Sequence, residues 1–250
     1  MSMIDEGAER PELVLEPLAR QAWPRGRDVH VWSIDLDARA AAPTQCLDER
    51  ERERARRFVH AHDAMRYVRA HVALRAILGA YLGCDPAHAA FAEEVHGKPR
   101  LVGPRTGLQF NLSHSKDLAL LALGAADALG VDVEAVRADL PGADLAAAVL
   151  DARELEQLAA LPEHAQAEPF VTCWTRKEAC LKAVGLGLNL EPRTLHAGLE
   201  PRSLRMRVAA RELDLVSLSV RPGFRAALAA IGGLGEVSRF QLDGHGMVPG

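Results

Sequence analysis

Trp174-Thr175-Arg176-Lys177-Glu178-Ala179-Cys180-Leu181-Lys182, read together with the earlier run Gly130-Val131-Asp132-Val133-Glu134, carries the most information in this chain of 250 residues. The first stretch lies in a segment, 168–184, that reads as a helix stopped by Gly185, and the second reads as a strand. On a strand, Asp132 and Glu134 leave one face while Val131 and Val133 pack on the other. On the helix, Lys182 follows Glu178 by four residues, so the two share a side, with Lys177 bordering them. Taken alone, such a pair is a surface contact worth about 0.3–0.5 kcal/mol, and a bare Asp-x-Glu is no more specific. Together the segments supply three carboxylates and two ammonium groups, a set suited to holding a divalent cation against a polyphosphate. Mg²⁺ favours octahedral oxygen coordination that it shares with phosphates and water.

Two motifs lie upstream, His96-Gly97-Lys98-Pro99 and Asn111-Leu112-Ser113-His114-Ser115. A Gly before Lys-Pro makes a tight turn that presents backbone groups and an ammonium together, which suits a nucleotide phosphate. At the end of a strand, Ser113 and His114 can donate hydrogen bonds to another phosphate. In isolation, a His beside two Ser is more often a satisfied surface residue.

The rest of the chain narrows the class. The formal net charge is -4 with scattered basic residues, apart from a dense stretch over 50–57 that also holds Glu, so nucleic acid is not the expected partner. No apolar run approaches the ~20 residues of a membrane span. The first sixteen residues are acidic and lack an apolar signal-peptide core, so the expected location is cytoplasmic. Cys46, Cys84, Cys173 and Cys180 show neither zinc nor disulfide spacing and read as reduced thiols.

Hydrophobic patterning predicts a strand over 29–36, a helix capped by Asp48 and running to 59, and a long helix over 62–82 closed by Gly83. Short strands follow over 89–95, 108–112, 118–123 and 129–133. Helical patterning resumes at 145, broken near Leu161-Pro162. The tail then gives four strands, over 204–209, 213–220, 224–231 and 237–242, whose intervening turns suggest an antiparallel meander. Helices followed by strands occur twice, dividing the chain near 124–129, although no sequence repeat is evident.

Gly-Lys-Pro, Asn-Leu-Ser-His-Ser, Gly-Val-Asp-Val-Glu and Trp-x-x-Lys-Glu-Ala-x-x-Lys occur in the order and approximate spacing of the 4'-phosphopantetheinyl transferases, and the chain resembles the larger, Sfp-type members over residues 48–190. The resemblance implies an α+β fold of two similar halves, 1–125 on the coenzyme A nucleotide side and 126–250 with the metal and the Lys-Glu helix, related by a pseudo-twofold axis in a monomer. It implies transfer of phosphopantetheine from coenzyme A to a serine of an acyl, peptidyl or aryl carrier protein, with 3',5'-ADP released. By the same resemblance, Asp132, Glu134 and Glu178 are the Mg²⁺ carboxylates and Lys182 contacts the diphosphate. Ser113 and His114 meet the 3'-phosphate, Lys98 and Pro99 lie at the adenosine end, and Arg54 is a phosphate-contacting position. Glu178 is the first candidate for the base that takes the serine proton, with Glu134 the competitor.

Departures from the family pattern are Glu51, where relatives carry a basic residue, Tyr67 after Arg66, and Lys116 after Ser-His-Ser. Arg66 reads either as a nucleotide contact or as a partner of Asp63. Arg176, Lys177 and Arg193 read as residues that steer the carrier protein, with Arg176 and Lys177 equally readable as solvated helix side chains. Trp174 reads as a core anchor, and Gly185-Leu186-Gly187 as a helix-ending turn. Two other functions use the same residues: a Mg²⁺-dependent hydrolase of coenzyme A or another nucleotide diphosphate, and a carrier-binding relative without turnover.

Overall fold

A computed structural model of the chain describes residues 23–38, 43–94, 96–103, 107–137, 143–186, 189–243 and 246–249. The acidic leader, Val95 and Gly187 lie outside the described residues. The architecture is α+β, with two main sheets packed face to face and one long helix on the outer face of each.

The first sheet has five strands in the order β11-β10-β1-β5-β4. These are β1 (Val29–Asp35), β4 (Gln109–Ser115), β5 (Leu118–Gly124), β10 (Val237–Asp243) and β11 (Gly246–Pro249). Every residue of β5 is buried, as befits a strand covered on both faces. The long helix α2 (Ala61–Leu82) lies on the outer side, where Trp32, Leu121, Phe110, Ile77, Leu78 and Tyr81 form one core. It ends at Gly83 with φ 64°, the left-handed cap that the sequence predicts. A short hairpin, β2 (Ala90–Glu93) and β3 (Pro99–Val102), stands beside this sheet.

The helix predicted from Asp48 is α1 (Glu49–Arg56), and it is three residues shorter than its pattern suggested. Asp48 and Glu51 cap it reciprocally: Glu51 N–H donates to Asp48 Oδ1, and Asp48 N–H donates to Glu51 Oε2, both at 2.9 Å. Glu51 also accepts from the buried Arg75 at 2.7 Å. Its role is therefore to cap α1 and to neutralise an arginine that α2 carries into the core.

The second sheet is antiparallel, in the order β6-β9-β8-β7, from β6 (Ala128–Ala135), β7 (Leu204–Val208), β8 (Arg211–Leu218) and β9 (Phe224–Ile231). Its outer face packs on α5 (Ala167–Val184), with α3 (Ala143–Val149) and α4 (Ala152–Ala159) alongside. Between the sheets lies a third apolar layer, in which Val29, Val31, Leu120 and Ala122 meet Val131, Val133 and Leu228.

The predicted four-strand meander is corrected at its last member. β10 leaves β9 and pairs in parallel with β1, from Val29↔Val237 to Ile34↔Leu242, completing the first sheet. Gly232 and Gly233, with φ 87° and 101°, take the chain out of β9 through backbone conformations that favour glycine. Cutting the chain at residue 125 therefore does not separate its sheets. None of the described helices is long and apolar enough to cross a membrane.

Candidate active site at the seam of the two sheets

Strands β4 and β6 are edge strands of different sheets and are joined by side chains from the Asn-Leu-Ser-His-Ser run. Asn111 Oδ1 accepts from Val131 N–H at 2.8 Å. Ser113 donates to Asp132 Oδ1 at 2.8 Å, and Ser115 donates to Glu134 Oε2 at 2.7 Å. Ala135 N–H donates to Ser115 Oγ at 3.1 Å. Strand alternation sends Asn111, Ser113 and Ser115 toward β6 and leaves Leu112 and His114 on the opposite face. Ser115 was not among the sequence candidates, and only its period-two spacing from Asn111 and Ser113 marks it.

Helix α5 reaches the seam because β6 offers it a bare backbone. A Cβ built on Gly130 would fall within contact distance of Ala179 O and Ala183 N, and 3.0 Å from the Lys182 carbonyl carbon. Helix and strand touch there with no side chain between them. That close approach places Glu178 and Lys182 over Asp132 and Glu134. Lys182 Nζ donates to Asp132 Oδ1 at 2.7 Å, to Ser113 Oγ at 2.9 Å and to Val131 O at 3.3 Å.

The three predicted carboxylates thus face the same seam, Asp132 buried and Glu134 and Glu178 half-buried. Asp132 is 3% exposed, and its Oδ2 has no hydrogen-bond partner; Glu178 Oε1 is likewise buried without one. Burial and the neighbouring Asp132 charge push the Glu178 carboxyl above the usual range, against the pull of Lys182. Glu134 is also raised, chiefly by burial, although hydrogen bonds from Ser115 and the Trp174 indole oppose the rise. Buried carboxylate oxygens left without donors are what an oxygen-seeking cation would satisfy. Asp132 and Glu178 each offer one such oxygen, whereas Glu134 already has donors in Ser115 and Trp174.

Among the described residues, the group whose ligand atoms all lie within 4.8 Å of one another is Asp151, Glu154 and His196, and the three seam carboxylates do not converge that closely. That group is already neutralised. Asp151 accepts from Glu154 N–H and pairs with His196, while Glu154 pairs with Lys177 and accepts from the N–H groups of Ala197 and Gly198, both at 2.8 Å. It braces α4 against α5.

The other predicted residues divide. His114 is exposed on the α2 side, and burial of part of its ring together with the Lys182 charge lowers its pKa. Nearby, Tyr67 and His71 stack with ring centroids 4.0 Å apart, and burial pushes His71 down to about 4. Arg54 is exposed, its guanidinium 5.7 Å from the Phe58 ring centroid. Pro99 opens β3 and is exposed. Lys98 is half-buried, and its ammonium donates to Leu129 O and Lys182 O, both at 2.8 Å.

Two sequence readings are corrected. Arg66 pairs with Asp37 rather than Asp63, through two hydrogen bonds of 2.9 and 2.6 Å. Arg176 and Lys177 are fully buried and steer nothing: Arg176 donates to Ala197 O, Arg202 O and Ser217, and Lys177 pairs with Glu154. Arg193 is exposed and paired with Glu191.

The family model described as the 4'-phosphopantetheinyl transferase superfamily matches residues 128–212, and one described as 4'-phosphopantetheinyl transferase, N-terminal, matches residues 32–125. The chain is similar to the 4'-phosphopantetheinyl transferase HetI of Nostoc sp., 38% identical over 167 residues that make up 64% of this chain and 70% of that protein. A 4'-phosphopantetheinyl transferase of Bacillus subtilis is 31% identical over 141 residues, 56% of this chain and 61% of that one. The 4'-phosphopantetheinyl transferase Sfp of the same species is 25% identical over 187 residues, 74% and 82% respectively. With β6 and α5 inside one matched segment and β4 inside the other, the chain belongs to the 4'-phosphopantetheinyl transferase superfamily.

Proposed function

We propose that this protein transfers the 4'-phosphopantetheine arm of coenzyme A to a serine hydroxyl of an acyl, peptidyl or aryl carrier protein and releases 3',5'-ADP. The observation that carries the reading is the seam itself. Two orphaned carboxylate oxygens, on Asp132 and Glu178, stand beside a lysine ammonium in a buried site. Named relatives with the same activity support it.

Mg²⁺ held by Asp132, Glu134 and Glu178 would neutralise diphosphate charge when bound. The chain's own residues do the rest. Lys182 sets an ammonium where the diphosphate of coenzyme A is to lie, anchored by Asp132 and Ser113 so that little reorganisation is needed. The serine oxygen forms a bond to the β-phosphorus, the one bearing pantetheine, and the bond from that phosphorus to the oxygen of 3',5'-ADP breaks. Glu178 is the better proton acceptor of the two candidates. Its Oε1 lacks a partner, whereas Ser115 and Trp174 occupy Glu134 and hold it in place. On the nucleotide side, His114 and Arg54 are open to solvent and remain the residues suited to the 3'-phosphate, while Ser113 is engaged at the carboxylate site.

The test is intact-mass spectrometry of purified apo carrier proteins incubated with this protein, coenzyme A and Mg²⁺. A gain of one phosphopantetheine, lost in Asp132→Ala and Glu178→Ala variants that keep their circular dichroism, is the expected result. Cleavage of coenzyme A with no carrier modified would instead identify a hydrolase. Neither modification nor cleavage would leave a binding protein.

A further inference from the structure

We propose that Lys98 is a positioning residue for the transfer reaction: its ammonium fastens the last turn of α5 to β6 and thereby fixes where Lys182 stands over Asp132. The inference rests on the transferase reading for its kinetics, but its structural half is independent of it. Lys98 precedes β3, on the far side of the seam in sequence, and its two acceptors lie 31 and 84 residues away.

Those acceptors are not arbitrary. Lys182 O belongs to the last turn of α5, where carbonyls lack helical partners, and a cation there also opposes the helix dipole. Leu129 O sits on β6 immediately before Gly130, the point where helix backbone meets strand backbone. Lys98 therefore staples the helix to the strand at their contact. From the same residue whose carbonyl is held, the Lys182 side chain runs to Ser113, Val131 O and Asp132. A small slide of α5 along β6 would carry Lys182 and Glu178 off the carboxylate site together. As a nucleotide contact, by contrast, the Lys98 ammonium has only its third N–H to offer while both carbonyls are held.

The two roles separate kinetically. In Lys98→Met, kcat for carrier modification should fall about tenfold to a hundredfold, the scale of small misplacements, while KM for coenzyme A changes less than about threefold. Hydrogen exchange of the amides at 182–185, measured without substrate, should quicken. Lys98→Arg, which keeps a cationic donor, should recover most of kcat and slow exchange again. Should Lys98→Met fail to fold, Lys98→Gln replaces it, since its amide still donates but carries no charge. A raised KM with kcat preserved and exchange unchanged would overturn the proposal in favour of a nucleotide contact, and so would variants indistinguishable from wild type. If the wild-type protein modifies no carrier, the transferase reading fails, and exchange alone decides whether Lys98 fastens α5.

Discussion

At the scale of single residues, the site is built from charges whose neighbours decide their use. Added Mg²⁺ should raise the Tm of the wild type, because it relieves crowded carboxylates in the native state, and should leave the Tm of Asp132→Asn nearly unchanged; differential scanning fluorimetry reads both. Lys177 shows the opposite case. Lys177→Met leaves Glu154 buried and unpaired, so urea unfolding should reveal a loss of about 3–5 kcal/mol. Burial alone would raise the Glu154 carboxyl, but Lys177 and the N–H groups of Asp151 and Gly198 outweigh it and hold the carboxyl below the usual range. Its contribution is thus present above the unfolded-state value and lost as pH falls through the depressed native one, and Glu154→Gln should flatten the acid limb of the stability profile. The sequence made Asp132, Glu134, Glu178 and Lys182 legible because their spacing on one strand and one helix aligns them whatever surrounds them. It could not separate Lys177 from Lys182. Both are lysines on α5, and only the covering segments around Val149 and Ala197 bury one of them.

At the scale of elements, the decisive contact is α5 on β6, and Gly130 permits it. Gly130→Ala should force the helix away from the strand, at a cost of about 1–3 kcal/mol or more in stability, with a larger loss in transfer rate than a purely global effect would give. Urea unfolding and initial rates on one preparation measure the two losses. Helix ends were readable where local chemistry fixes them, as at Asp48 and Gly83, while the capping role of Glu51 was not read. The fate of β10 was not, because its alternation and flanking turns fit a hairpin with β9 as well as a parallel pair with β1. The Gly232-Gly233 pair suits a hairpin too, and only the open edge of β1, far away in sequence, decides between them.

At the scale of the whole molecule, the apolar layer between the sheets makes the two long helices parts of one body. Trp32 lies in the α2 core and Trp174 packs beside the α5 core. Trp32→Phe and Trp174→Phe variants, each followed by the remaining indoles, should therefore report the same urea midpoint. Deleting 237–250 strips β1 of its parallel partner, and both cores should be lost together, seen as absence of a cooperative transition. The parallel pairing of β10 with β1 has a further consequence for biosynthesis. Once β1 leaves the ribosome it must wait with one edge bare until residues 237–243 emerge, so the nascent chain carries an unfinished, aggregation-prone sheet while everything between β1 and β10 is made.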